Sequence, residues 1–293
     1  MKLSAQCIGC IMSNREKAVR GKGNEETRMY FLKQCMQWMV ESENDTMPWL
    51  TTKMDRLYEE LFPKNIDYAA IKHKYNKMML DNETKIKAQM YGSEDVLKTA
   101  IQFAQTGNYI DYGALEEVSD TILEILLEKC AQKDLDAKEY ALFKQDLNNA
   151  KKLLYICDNC GEVVLDKFLL EVIAKEFPHL HIKVMVRGGE VINDASRVDA
   201  EEIKLAEVCE VVDSGIAMCG CDVDHISEEA LSYVKEADVI IAKGQANFET
   251  LFGNNLPVYY LLLCKCDMFV SRFAMEKFAP VFMKEERIII HNK

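Results

Sequence analysis

The sequence predicts an α/β fold, a mostly parallel, doubly wound sheet of Rossmann-like three-layer type preceded by a helical N-terminal domain. Three observations carry this reading. Apolar residues recur at helical spacing up to residue 150, and short apolar runs alternate with helical stretches after it. Polar clusters stand where several of those runs stop. The change of rhythm divides the chain into a helical domain over 1–150 and an α/β domain over 151–293.

In the first part, "ETRMYFLKQCMQWMVES" puts Met29, Leu32, Met36 and Met39 on one helical face. Further helices are expected over 50–62, 67–91, 94–105, 115–131 and 137–150, with Ser93 as an N-cap and Pro63 and Gly107 as punctuation. The Met and aromatic stripes read as core. In the second part, "LLYIC", "HIKVMV", "VCEVV", "DVIIA", "PVYYLLL" and "RIIIH" read as strands. Helical patterns such as "VVLDKFLLEVIAKEF" and "SEEALSYVKEA" lie between them. That alternation implies βαβ units and a sheet covered on both faces.

Composition narrows the function. Lys and Arg total 36 against 48 Asp and Glu, a net charge of −12, which argues against general nucleic-acid binding but allows a local basic pocket. The first ten residues, "MKLSAQCIGC", lack the apolar core of a signal peptide. No apolar stretch approaches the roughly 20 residues of a membrane helix; "LPVYYLLLC" at 256–264 suits a buried strand. With 11 cysteines, an odd number, in a chain large enough to need no disulfide staples, the expectation is a cytoplasmic, reducing setting with mostly free thiols and no membrane partner. Nothing indicates an oligomeric state.

Ligands of open α/β sheets bind beyond the carboxyl ends of the strands. "DNCGE" follows the first strand, "RGGEVINDAS" the second from Arg187, and "KGQANFE" the fourth from Lys243. A carboxylate at the mouth of a buried strand costs several kcal/mol unless a cation or donor meets it. Asp158, Asn159 and Asp194 supply two carboxylates and a carboxamide, hard oxygen ligands for Mg²⁺ or Mn²⁺. Each Asp taken singly reads as a helix cap; the three together favour a metal. Lys243 and Gly244, leading from a strand into a helix, suggest an anion cradle with Asn247 nearby. Glu162, Asn193 and Asp199 are accessory candidates, Asp199 reading more readily as a solvated helix residue.

Common nucleotide and hydrolase motifs fail. "GKGNEE" at 21–26 follows no strand, and G-x-x-x-x-G-K-[ST], H-E-x-x-H and G-x-S-x-G are absent. Cys7 with Cys10, and Cys157 with Cys160, form two C-x-x-C pairs that would make a zinc site if they met. Cys7 and Cys10 alone would suit a redox or metal-binding pair, or a short buried turn. Cys219 with Cys221, and Cys264 with Cys266, read as packing thiols.

Together "DNCGE", "VINDAS", "KGQANFE" and the N-terminal "CIGC" resemble the metal-dependent damage-control phosphatases, the group first labelled domain of unknown function 89, in its shorter prokaryotic branch. The resemblance covers nearly the whole chain. It implies Asp158, Asn159 and Asp194 as metal ligands and Lys243 as a substrate-phosphate contact. It also implies hydrolysis of small phosphorylated metabolites supported by Mg²⁺, Mn²⁺, Co²⁺ or Ni²⁺. Cys160 stands where the family commonly has Ala, and Ala246 where it has Gly; "IMSNREKAVR" replaces a Gln-containing segment. These departures spare the expected ligands. The expected catalytic residues are Asp158, Asp194 and Lys243, the attacking group being either a water or one of the two aspartates. The alternatives are a carboxyl methyltransferase using an adenosyl cofactor at the same strand ends, and a non-catalytic zinc or redox module on Cys7 and Cys10.

Overall fold

A computed structural model describes residues 3–63, 66–107 and 134–291. The expected helix over 115–131 falls outside the described residues. Helices α1 (Ala5–Val19), α2 (Glu25–Glu41), α3 (Met47–Leu61), α4 (Tyr68–Asp81), α5 (Glu83–Tyr91), α6 (Val96–Gly107) and α7 (Ala137–Asn149) precede the sheet. The expected single helix over 67–91 is two, parted at Asn82, which caps α4 and opens α5. Asp95, not Ser93, caps α6: its Oδ1 accepts the Lys98 N–H at 3.0 Å, while the Ser93 hydroxyl donates back to the Met90 carbonyl. Pro63 does stand just past the end of α3, and Gly107 is the last described residue of α6.

The sheet comprises β1 (Lys152–Ile156), β2 (His181–Val186), β3 (Glu210–Asp213), β4 (Val239–Lys243), β5 (Val258–Leu263) and β6 (Pro280–Lys284), in the order β3-β2-β1-β4-β5-β6. The first five are parallel and β6 is antiparallel to β5. The sixth strand is therefore "PVFMK", not the expected "RIIIH". Ile288 and Ile290 pack on the core without joining the ladder, and Ile289 is exposed. Helices α8 (Glu162–Glu176), α9 (Arg197–Glu202), α10 (Glu228–Glu236), α11 (Gly244–Leu251) and α12 (Asp267–Phe273) complete the fold.

Alternate residues of each strand enter two cores, so the sheet is buried on both faces. Leu153, Tyr155, Val184, Ile241 and Tyr259 join a core covered by α4–α8, with α6 packed along α8. Leu154, Ile156, Ile240, Tyr260 and Leu262 join the other, under α10, α11 and α12. Helices α1–α3 have their own core around Phe31, Leu50, Met54 and Phe62. The core does not divide at residue 150: α4–α7 bury their apolar faces with the sheet, and α1–α3 share a core of their own, while α3 also packs on α11 and Cys7 of α1 on the second core. Within α2 the inward face is Phe31, Cys35 and Met39; Met29 and Met36 are exposed, contrary to the stripe expected from periodicity.

The strand order reverses between β1 and β4. The chain winds outward through β2 and β3 on one side and through β5 on the other. A crevice forms at the carboxyl ends of such a pair. Asp158 follows β1 there and Lys243 ends β4.

Candidate active site

Backbone hydrogen bonds lace the turn after β1 to the loop after β2. The Cys160 N–H donates to the Asn193 carbonyl at 2.8 Å, and the Ala195 N–H to the Asp158 carbonyl at 2.8 Å. Asn159 and Asp194 form a bridge of their own. The fold thus gathers Asp158, Asn159 and Asp194, each less than a tenth exposed. Gly161 closes the turn at φ +77°, a left-handed conformation natural to glycine, and its N–H donates to Asn76 Oδ1 of α4.

The guanidinium of Arg187 stands between the two carboxylates. Its Nε donates to Asp194 Oδ2 at 2.6 Å and its Nη2 to Asp158 Oδ1 at 3.4 Å. Its Nη1 donates to the Gly220 carbonyl at 3.0 Å and to Asn247 Oδ1 at 3.1 Å. The Cys219 thiol lies 3.6 Å from Asp194 Oδ1. The Asn159 amide donates to Asp158 Oδ2 at 2.9 Å and to Glu162 Oε2 at 3.3 Å.

Lys243 departs from expectation. Its side chain is fully buried and donates to Glu162 Oε1 at 2.7 Å, Asp166 Oδ1 at 2.5 Å and the Ala104 carbonyl at 2.6 Å. An ammonium has three hydrogens. All three are committed to protein oxygens, so a direct phosphate contact would require breaking a buried bond. Burial opposes the charge, but Asp166 and Glu162 outweigh it and raise the lysine above its ordinary value. Asn247 is likewise turned inward: its amide donates to the carbonyls of Cys157 and Lys243, and its oxygen accepts from Arg187. Gly244 opens α11 at φ +74°, where an added Cβ would lie 1.9 Å from Asp158 Oδ2.

Asp199 is a buried cap, not a solvated residue. It forms a capping box with Ser196 at the start of α9, and its Oδ2 pairs with Lys72 Nζ at 2.6 Å. Asn193 is buried, and its carbonyl ties down the turn after β1. Cys157 and Cys160 are buried in the first core, whereas Cys7 packs on the second and Cys10 is exposed. The sheet separates the two pairs, so the four thiols do not form the joint zinc site that their spacing allowed. All cysteines among the described residues are free.

No sequence motif singles out two cations of the site. Arg187 opens the loop after β2. Lys265 lies two residues past β5. Its charge reaches Asp158 and opposes the rise of that carboxyl. The available signal was position: both residues follow strand ends in the same row as Asp158.

Burial dominates the electrostatics. It raises Asp158 far above the carboxylate range, helped by Asp194 and Glu162 and opposed by Arg187 and Lys265. It raises Asp194 against the pull of Arg187. It pushes Asp166 up to about 7 despite Lys243. A carboxyl raised on folding binds more protons folded than unfolded between its two values. Its stabilisation is complete below the unfolded value of about 3.9 and is lost as pH rises through the folded one. Metal-free protein should therefore melt at a lower temperature at pH 8 than at pH 6. Thermal unfolding in EDTA at both values checks this; a flat or rising melting temperature contradicts it.

The family model described as the damage-control phosphatase ARMT1-like domain matches residues 3–279. The chain belongs to that family. A damage-control phosphatase of Archaeoglobus fulgidus is 27% identical over 91% of this chain and 93% of its own. One of Pyrococcus horikoshii is 34% identical over 64% of each chain. An uncharacterized protein of Methanocaldococcus jannaschii is 29% identical over 97% of this chain and 96% of its own. The crystal structure of a DUF89 family protein from Pyrococcus horikoshii superposes with a TM-score of 0.79 at 27% identity, covering 97% of this chain and 99% of that one. The α/β architecture with its helical N-terminal region is thus the family's fold. No helix among the described residues is long and apolar enough to cross a membrane.

Proposed function

We propose that this damage-control phosphatase family member is a metal-dependent phosphomonoester hydrolase acting on small phosphorylated metabolites. The carrying observation is a charge imbalance beneath the strand ends. Asp158, Asp194, Glu162 and Asp166 are buried together with Arg187 and Lys243, four carboxyls against two cations; without a further cation burial raises Asp158, Asp194 and Asp166 toward their neutral forms, because full ionisation would leave 4 − 2 = 2 negative charges uncompensated. One divalent cation balances them. Among the described residues no group of three or more His, Cys, Asp or Glu is placed to hold a metal ion, so a site here needs a carboxamide as its third donor. The fitting set is the Asp158 and Asp194 carboxylates with the Asn159 carboxamide oxygen, hard donors suited to Mg²⁺, Mn²⁺, Co²⁺ or Ni²⁺. A bound ion would supply Lewis-acid polarisation and charge compensation at a phosphoryl oxygen.

The protein's own groups do the rest. The Gly244 N–H at the start of α11 and the Lys265 ammonium receive the phosphate. Lys243 acts from below, holding Glu162 and Asp166, while Asn247 holds Arg187. The turn after β1 reads Asp-Asn-Cys-Gly and is laced to the loop after β2, which supports a fixed set of oxygen ligands over the glycine-rich turn that an adenosyl cofactor would need.

Purified protein should hydrolyse p-nitrophenyl phosphate with Mn²⁺, fall silent in EDTA and recover on re-addition; undiminished turnover after exhaustive chelation would remove the metal. Lys265→Ala should lower kcat/KM about 100-fold, the scale of losing one charged contact to a reacting group, with the Mn²⁺ midpoint little changed, because Lys265 acts on Asp158 more weakly than Arg187 does. A shifted midpoint with normal turnover at saturation would instead place Lys265 at the metal ligands.

A further inference from the structure

Arg187 is 1% exposed, and its guanidinium donates four hydrogen bonds to four separate segments. These are the turn after β1, the loop after β2, the segment between β3 and α10, and helix α11. A planar fork can join four such partners; a lysine in its place could not reach them all. The same guanidinium puts a positive charge directly on Asp158 and Asp194. The arrangement therefore has two opposed consequences for a cation arriving at those carboxylates. It holds them in place, and it repels the newcomer.

Resting on the metal reading above, we propose that Arg187 is a positioning residue that stands in for the divalent cation. It compensates Asp158 and Asp194 in metal-free protein, keeps the site assembled, and by its charge holds metal affinity down. Coupling between two bound cations is reciprocal: what the arginine costs the metal, the metal costs the arginine. Loss of the guanidinium must then harm metal-free protein more than metal-loaded protein. A tie with a purely structural role would cost the same in both states.

The experiment compares wild type, Arg187→Met and Arg187→Lys by Mn²⁺ calorimetry, by thermal unfolding in EDTA and in saturating Mn²⁺, and by turnover. Arg187→Met should melt well below wild type in EDTA and recover most of that loss in Mn²⁺. It should bind Mn²⁺ about tenfold more tightly, within the usual span of coupling between two sites, yet turn over more slowly because Asp194 and Asn247 lose their anchor. Arg187→Lys keeps the charge but loses the fork, so its Mn²⁺ affinity should stay within about threefold of wild type while kcat falls. Equal melting losses in EDTA and Mn²⁺, or unchanged or weaker Mn²⁺ binding by Arg187→Met, would overturn the inference and leave Arg187 a structural tie. Should Arg187→Met fail to fold in either condition, Arg187→Lys decides: a Mn²⁺ affinity altered about tenfold would overturn the inference, and an affinity near wild type with reduced kcat would support it. No Mn²⁺ binding to wild type would remove the metal reading itself, a different failure and plainly separable.

Discussion

Gly244→Ala is expected to disable the enzyme although it adds a single methyl group. The new Cβ would lie 1.9 Å from Asp158 Oδ2 and 2.4 Å from its Cγ, far inside van der Waals contact. Asp158 cannot give way cheaply. Its carboxylate is held by Arg187 and Asn159, and its carbonyl accepts the Ala195 N–H. The backbone at φ +74° adds strain, because an L side chain there crowds the following carbonyl by roughly 1–2 kcal/mol. Turnover should fall by about 10³-fold, the equivalent of losing roughly 4 kcal/mol of transition-state stabilisation with a displaced ligand, and Mn²⁺ should bind more weakly. Gly253→Ala is the control. It too has a left-handed φ, +95°, but an added Cβ meets nothing within 4 Å. It should lose about 1 kcal/mol of stability and keep full activity. Steady-state kinetics, Mn²⁺ titration and melting curves on both variants test the argument. Normal activity in Gly244→Ala would mean that the close approach of α11 to Asp158 is not needed.

What could be read from the sequence was the row of strand ends. Periodicity identifies where an apolar run stops, and the rule for parallel sheets says that the stops share an edge. Asp158, Asn159 and Asp194 do meet there, joined by a backbone bridge. The direction of a side chain at that edge is harder to read, and the Lys243 expectation failed on it. Even so, the signal existed. Val239, Ile241 and Lys243 have the same parity on β4, and the first two enter the core shared with α6 and α8. Lys243 therefore points toward Ala104 of α6 and toward Glu162 and Asp166 of α8. Arg187 was hidden for a different reason. Its partners come from four segments spread over the α/β half, and no local pattern encodes that convergence. The missed breaks were local but weak: Asn82 parts two helices of matching periodicity, and Asp95 competes with Ser93 for one cap. "RIIIH" has the composition of a strand, but β6 already pairs with β5, and residues 285–287 form a short 3₁₀ turn that leads the chain away.

Lys243→Met is expected to cost the protein its stability before it costs specific chemistry. The substitution is close in volume and would leave the hydrocarbon packing intact. It would strand Glu162 and Asp166, both fully buried, without their shared cation. Breaking a buried ion pair from one side typically costs about 3–5 kcal/mol, because the remaining charge must be buried alone or neutralised. Asp166 is already raised to about 7 with the lysine present, so it would take up a proton in its absence. The loss should accordingly be larger at pH 8 than at pH 6, where that proton is more readily supplied. Neutralising the partners as well, in the triple variant Lys243→Met, Glu162→Gln, Asp166→Asn, should restore part of the melting temperature. Replacing every charge of a buried set avoids the stranded carboxylates, although the Asn159 amide and the Tyr155 hydroxyl must still find acceptors. A lysine that instead contacts substrate would behave differently. Its methionine variant would melt like wild type, show a raised KM, and gain nothing from the two partner substitutions. Melting curves at the two pH values, with kinetics on the single and triple variants, separate these outcomes. An unchanged melting temperature in Lys243→Met would return Lys243 to the substrate side of the site.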